Sequence, residues 1–359
     1  MKLLISAGGT GGHIFPGIAV AEAFVGRDEK NDVVFVGTRQ GLEGGIIPRH
    51  GFKLLFIEAH QFQGKNVFYK MVTLMRLLQG IRAAKVIIRL ENPDAILGMG
   101  GFTCVPTILA GVMLGIPTYL HEQNVEPGLA NKLLSRFVRS TFISFEATKE
   151  YLTAKKVYHT GNPLRKTLKT VREREEKSGF SVFIFGGSRG ARSINESILT
   201  LLPFMESYKN TIMYHQTGKE DYERIKKVYE GTKVGYEVFP FTDHMEKYYN
   251  LSDVVISRSG ATTIFELAYF KKAAILVPYP FSAGQHQKTN AMHVASLGGA
   301  YVVENDQLSG EKLHDLLSSL MNEPDRVKEM GGSIGRLYIE DAAERIIEKI
   351  EDERMGTGV

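Results

Sequence analysis

Apolar residues fall along this chain in short runs, separated by longer stretches with helical spacing. Residues 2–7 read as a buried strand, and the glycine loop Gly8-Gly9-Thr10-Gly11-Gly12-His13 follows. A helix is predicted next, from about Pro16 to Val25. The design recurs in the second half, where a buried run at 181–185 leads into Gly186-Gly187-Ser188-Arg189-Gly190 and a helix from about Ala191. Each is the opening of a strand–loop–helix unit in a parallel sheet. Further strand-like runs stand at 33–36, 95–97 and 118–120, then at 211–214, 254–257 and 274–278. Helical stretches between them give the rhythm of a doubly wound sheet.

The expected fold class is therefore α/β, with two Rossmann-like doubly wound domains facing an interdomain cleft. The turn Gly161-Asn162-Pro163, between a strand-like 156–159 and the charged 172–177, sets the boundary. It gives a first domain over 1–162 and a second over 163–340. Residues 341–359 form a C-terminal helix and tail, available to pack back on the first domain, in an amphipathic pattern that starts near 339. A chain of 359 residues suits two such cores better than one.

Composition changes this picture little. Hydrophobic residues make up 43% and charged residues 23%, an ordinary globular balance without a disordered bulk. The one cysteine, Cys104, lies in an apolar run and reads as a small core residue, so no intramolecular disulfide forms. The run Leu3-Leu4-Ile5 is too short for a signal-peptide core. The longest apolar stretch, 105–120, is broken by Pro106, Gly111, Gly115 and Pro117 and falls short of a membrane span. A net charge of +4 permits anionic partners, but the basic residues join no nucleic-acid-binding motif, and no nucleic acid is expected.

Glycine loops between a buried strand and a helix turn backbone N–H groups toward an anion, and the helix dipole adds to the attraction. A dinucleotide fingerprint fails here. Counted from Gly9 and Gly11, its third glycine falls on Ile14, and the run 33–36 ends in Gly37-Thr38 rather than an acid. A third loop, Gly98-Met99-Gly100-Gly101-Phe102, follows the run 95–97. One such loop is explained by a tight turn; three at the same ends of parallel strands point to a ligand. The polar cluster His121-Glu122-Gln123-Asn124 ends another strand, where side chains line the crevice of such sheets.

With these blocks in view, the chain resembles the MurG family. The resemblance runs through Gly8-Gly9-Thr10-Gly11-Gly12-His13-Ile14-Phe15-Pro16, Gly98-Met99-Gly100-Gly101, His121-Glu122-Gln123-Asn124 and Gly161-Asn162-Pro163-Leu164-Arg165. It continues in Gly186-Gly187-Ser188-Arg189-Gly190-Ala191, Arg258-Ser259-Gly260-Ala261-Thr262-Thr263-Ile264-Phe265-Glu266, Gln285-His286-Gln287 and Asn290-Ala291. That family is similar to other GT-B glycosyltransferases. It moves N-acetylglucosamine from UDP-N-acetylglucosamine to lipid I, giving lipid II of peptidoglycan.

The resemblance implies a donor site of Ser188 at the phosphates, Glu266 at the ribose hydroxyls, and Arg165 and Thr242 at the uridine. It adds Ala261, Thr262, Thr263 and Ile264 at the diphosphate and Gln287 at the sugar. Thr10, Gly11, Gly12 and Asn124 are implied to close over the donor from the acceptor-side domain, with Gly100, Gly101 and Phe102 on the acceptor side. Phe102 stands where the family usually has Tyr, Thr103-Cys104 replaces a small polar pair, and Arg189 replaces a common Gln.

Transfer from a UDP-sugar needs a base for the acceptor hydroxyl and charge stabilisation for the leaving diphosphate. No Asp-x-Asp occurs, so chemistry without a metal or other cofactor is expected, with loop amides and helix N-termini serving the diphosphate. His13 is the first candidate for the base, with orientation of the acceptor diphosphate as its rival role; His121 and Glu122 come second. Direct displacement by the muramoyl 4-hydroxyl, with inversion at the anomeric carbon of the donor sugar, is the expected course.

Residues 62–90 interleave apolar side chains with Lys65, Lys70, Arg76, Arg82, Lys85 and Arg89 and hold no acid. They read either as a basic, apolar helix pair docking on anionic lipid or as helices packed on the sheet with a solvated basic face. The resemblance favours the first, with the chain peripheral on the cytoplasmic face of the bacterial plasma membrane. Two other functions compete: a UDP-sugar epimerase of the same fold, needing acid–base carboxylates, and a non-catalytic nucleotide-sugar-binding module.

Overall fold

The computed structural model of the chain describes residues 1–58, 67–169, 179–187 and 190–355. The described residues divide into two compact units, Met1–Arg165 with Ile339–Val359, and Lys166–Tyr338. Pro163, Leu164 and Arg165 thus belong to the first unit, as does the helix Ala342–Met355.

The first unit is built on strands β1 (Lys2–Ser6), β2 (Asp32–Gly37), β3 (Lys53–Phe56), β4 (Ala95–Gly98), β5 (Thr118–Glu122), β6 (Ser140–Ile143) and β7 (Val157–His159). They form one parallel sheet in the order β3-β2-β1-β4-β5-β6-β7. Side chains alternate across it: Leu3, Ile5, Val33 and Phe35 enter one core, while Leu4, Val36 and Ile96 enter the other. The helices Gly11–Arg27 and Ala342–Met355 cover the first face, and Val67–Glu91 and Cys104–Met113 cover the second. Because both faces are buried, the central strands read in sequence as unbroken apolar runs. The C-terminal helix is tied down by Glu353, which accepts from the Ser140 hydroxyl at 2.7 Å and the Tyr158 hydroxyl at 3.1 Å.

The second unit carries β8 (Phe180–Phe185), β9 (Thr211–Gln216), β10 (Gly235–Phe239), β11 (Val254–Ser257), β12 (Ala273–Leu276) and β13 (Ala300–Val302). These form a parallel sheet in the order β10-β9-β8-β11-β12-β13. In both sheets the winding reverses beside the first strand, between β1 and β4 and between β8 and β11. Ligands of open α/β sheets bind outside the strand ends at such a switch point.

Two expectations are corrected. The first helix starts at Gly11, not near Pro16, so half of the glycine loop is its first turn. Thr10 is the extended residue that opens it, and Pro16 sits inside it rather than marking its start. The basic stretch forms one helix, Val67–Glu91, instead of a pair among its described residues. Gly80 in its middle serves packing, since a Cβ there would lie 3.1 Å from the Glu58 carbonyl and 3.2 Å from Pro106.

Candidate active site

Strand register sets the candidate site of the first unit. Ser6 pairs with Gly98, so the loops after β1 and β4 leave the sheet side by side. They meet at His13. The third glycine loop comes so near that a Cβ on Gly100 would lie 2.9 Å from the imidazole Cδ2, and one on Gly101 would lie 2.6 Å from the Gly8 carbonyl. Both glycines have left-handed backbones, with φ of 104° and 81°. His13 Nδ1 lies 3.1 Å from that same carbonyl. A carbonyl only accepts, so Nδ1 carries the hydrogen and Nε2 of the neutral ring carries the lone pair. The Phe102 ring borders Gly9, where an added Cβ would lie 3.7 Å from its Cε1.

The polar cluster on β5 is arranged differently from expectation. His121 and Glu122 belong to the strand itself and are buried. His121 Nε2 donates to the Gly161 carbonyl at 3.1 Å, and its Nδ1 accepts from the Gln123 amide at 3.0 Å. Burial pushes its pKa down to about 4 and holds the ring neutral. Gln123 also donates to the Met99 carbonyl at 2.7 Å, which ties the third glycine loop to this strand. Glu122 accepts from Asn124 N and Nδ2 at 2.9 and 3.0 Å, from Gly128 N at 3.1 Å and from Asn131 Nδ2 at 2.9 Å. Its oxygens are committed to shaping the loop after β5. Both of these second candidates for the base are buried and frame the site rather than present themselves to it. Arg165 lies over the Phe15 ring, 4.4 Å from its centroid, on the helix that carries His13.

In the second unit, Ser257 pairs with Phe185, so the loops after β8 and β11 also start as neighbours. Ser188 and Arg189 lie outside the described residues. Helices Arg192–Met205 and Ala261–Tyr269 begin at these loops, and Ala261, Thr262, Thr263 and Ile264 form the first turn of the second. The Thr262 hydroxyl is buried without a partner among the described residues. The Tyr249 hydroxyl donates to Glu266 Oε2 at 2.8 Å, and the Tyr279 amide donates to Gln287 Oε1 at 2.9 Å.

Two further residues tie the loops of this unit together: Gln216, not singled out in the sequence, and Arg258, which there only opened a block of the resemblance. The buried Gln216 at the end of β9 donates from Nε2 to the Gly187 carbonyl at 3.2 Å and accepts the Thr242 amide at 3.1 Å. Arg258 donates to the Val277 and Pro278 carbonyls and to Asn305 Oδ1, each at 3.1 Å, and to the Ser193 hydroxyl at 2.8 Å. Burial lowers its pKa to about 10, which leaves it a cation at neutral pH beside the start of helix Ala261–Tyr269. A His-Gln pair closing β9 was the available signal for the first. For Arg258, the signal was an arginine directly after a buried strand and before Ser-Gly.

Residues 3–143 match the glycosyltransferase family 28 N-terminal domain, and residues 181–346 match its C-terminal domain. A protein of Geotalea uraniireducens is 38% identical over 99% of this chain and 100% of its own length. It is described as a UDP-N-acetylglucosamine–N-acetylmuramyl-(pentapeptide) pyrophosphoryl-undecaprenol N-acetylglucosamine transferase. The crystal structure of Acinetobacter baumannii MurG is similar with a TM-score of 0.80 and 28% identity, over 98% of this chain and 99% of that one. A UDP-GlcNAc 2-epimerase of Neisseria meningitidis, solved with UDP-GlcNAc, has a TM-score of 0.69 over 98% of this chain and 100% of that one. At 15% identity it shares the fold alone.

Proposed function

We infer the work of individual residues from one premise: the chain belongs to glycosyltransferase family 28 and, within it, to the UDP-N-acetylglucosamine–N-acetylmuramyl-(pentapeptide) pyrophosphoryl-undecaprenol N-acetylglucosamine transferases. It transfers N-acetylglucosamine from UDP-N-acetylglucosamine to that lipid-linked acceptor, lipid I, in peptidoglycan synthesis.

The proposed course is a displacement with inversion. The muramoyl 4-hydroxyl oxygen forms a bond to the anomeric carbon while the bond to the UDP oxygen breaks and its electron pair leaves with UDP. The hydroxyl proton goes to His13 Nε2. The observation that carries this role is the bond from Nδ1 to the Gly8 carbonyl, which puts the lone pair on Nε2. An imidazole titrates near working pH, as a general base requires.

The second unit is proposed to take the donor. Ala261, Thr262, Thr263 and Ile264 supply amides or hydroxyls to the diphosphate at a helix start, where the dipole favours negative charge, and Ser188 joins them on the family relationship alone. Arg258 adds a fixed cation against the charge that develops on the leaving group. Glu266, held by Tyr249, accepts the ribose hydroxyls; Thr242 meets the uridine and Gln287 the sugar. Gly100, Gly101 and Phe102 serve the acceptor. For Thr10, Gly11, Gly12, Asn124 and Arg165, all on the first unit, a donor role is proposed on the family relationship alone.

Attachment to an anionic membrane surface is proposed through helix Val67–Glu91. Among the described residues no helix is long and apolar enough to cross a membrane. Leu74, Met75 and Leu78 are exposed by half or more, with Arg76, Arg82 and Arg89 exposed on the same helix. Residues 62–66 and the side chains of 67–71 lie outside the described residues. A peripheral position on the cytoplasmic face, where the polyprenyl acceptor is reached, follows from this reading. Comparing sugar transfer and UDP binding in the wild-type and His13→Ala chains tests the assignment of the base.

A further inference from the structure

Glu43 follows β2 by a few residues and has no exposed surface. Its Oε1 accepts from the Thr38 amide at 2.7 Å and the Thr38 hydroxyl at 2.8 Å; its Oε2 accepts from the Gly9 amide at 3.2 Å. Each of these partners donates, which suits the ionised, acceptor-only carboxylate, and none is a cation. Glycines make room for it: a Cβ on Gly37 would lie 2.6 Å from its Cγ, and one on Gly41 would lie 1.9 Å from its Oε2. Burying a carboxylate is costly, and three hydrogen bonds to neutral donors are a modest return for a purely structural prop.

The peptide group between Gly8 and Gly9 accounts for it. Its N–H is the one that donates to Glu43, and its carbonyl is the one that accepts from His13 Nδ1 at 3.1 Å. A single planar unit therefore stands between carboxylate and imidazole, N–H toward the negative charge and C=O toward the ring. We propose that Glu43 is a positioning residue that acts on His13 through the Gly8–Gly9 peptide, holding the ring as the Nδ1–H tautomer and favouring its protonated form.

Hydrogen bonds in series polarise one another, each by roughly 10–30%. A carboxylate that meets an imidazole Nδ1–H directly fixes its tautomer and stabilises the imidazolium in hydrolases. Here a backbone amide is interposed, so the effect is transmitted rather than direct. The use of this device in catalysis rests on the reading of His13 as the base. Among the described residues, the titratable groups on the elements packed about this loop include His121 and Glu122 on β5, Cys104 at the start of helix Cys104–Met113, and Arg165 over Phe15. His121 is neutral through burial, and burial pushes the Cys104 thiol up to about 11, so neither changes charge near neutral pH. Glu122 is engaged by four donors of its own loop.

The test is an NMR titration of the full chain with ¹⁵N in its histidine rings, in the wild type and in Glu43→Gln, with His13→Ala used to assign the signal. The wild-type ring is expected to be Nδ1–H when neutral. In Glu43→Gln it is expected to titrate lower by roughly half a unit to one unit, with the acid limb of kcat/KM moving down by the same amount. An Nε2–H tautomer in the wild type, or the same titration in both chains, overturns the proposal. If Glu43→Gln does not fold, the wild-type tautomer decides. If the titration moves as expected while His13→Ala turns over at the wild-type rate, the link from Glu43 to His13 stands and the base reading falls.

Discussion

His13 Nδ1 and the carbonyl of Gly8, five residues before it, lie 3.1 Å apart. That contact selects one of two imidazole tautomers and leaves Nε2 as the basic atom. It also makes the Gly8 carbonyl a fixed point shared by two loops, because Gly101 passes so near that any side chain there would meet this oxygen.

Gly101→Ala should therefore act on chemistry more than on the donor. Its Cβ would fall 2.6 Å from the Gly8 oxygen, on a backbone with φ of 81°. Strain of this kind costs roughly 1–3 kcal/mol and here displaces the acceptor of the His13 bond. Turnover is expected to fall about tenfold or more, with UDP affinity by calorimetry within a factor of two. Full turnover would mean that the Gly8 carbonyl does not need to hold its place.

Gln216→Glu tests the donor loops. The change keeps size but sets a carboxylate oxygen against the Gly187 carbonyl, where the amide now donates at 3.2 Å. Loss of a buried hydrogen bond with its partner left unpaired costs about 1–3 kcal/mol. UDP binding is expected to weaken about tenfold, with the acceptor KM unchanged. Unaltered UDP affinity would remove Gln216 from donor binding.

Stability is expected to fall as pH drops from about 6.5 toward 5, before most carboxylates titrate. His121 and His215 are fully buried, and burial depresses their pKa values to about 4 and about 3 from 6.5. The unfolded chain therefore takes up protons in this window that the folded chain refuses. Their contribution is whole above 6.5 and is lost as pH falls toward the folded values. Unfolding free energies from denaturant titrations of His121→Gln should show a shallower pH slope, by up to roughly 1.4 kcal/mol per pH unit. An unchanged slope would place His121 in a solvated setting.

Membrane attachment is tested with vesicles. Each surface cation contributes about 1 kcal/mol on anionic lipid. Replacing Arg76 and Arg82 by Glu is expected to cut binding to anionic vesicles more than tenfold while activity on a soluble acceptor analogue holds. Equal binding by wild type and variant would remove the electrostatic part of the docking.

Much of the fold was legible because central parallel strands are buried on both faces and appear as apolar runs. The strands that escaped notice lacked that mark. β3 and β10 are edge strands with exposed positions, β13 is three residues long, and β6 begins with the buried polar pair Ser140-Thr141. The glycine loops and His13 could be found by spacing alone. The insertion of His121 and Glu122 into β5 could not, because a polar residue at a strand end reads the same whether it faces ligand or interior. Glu43 gave a fainter sign, an acid with Gly37 and Gly41 before it and Gly44 and Gly45 after it, whose meaning depends on the fold of the loop over it.

The proposed mechanism turns on transfer of the acceptor proton to His13. Its most direct test is single-turnover transfer of labelled N-acetylglucosamine from UDP-N-acetylglucosamine to a soluble lipid I analogue by His13→Ala, with UDP affinity measured on the same sample. Loss of a general base predicts a rate about 10²–10⁴ lower, with UDP affinity within a factor of two of the wild type. Transfer near the wild-type rate at saturating acceptor would contradict it.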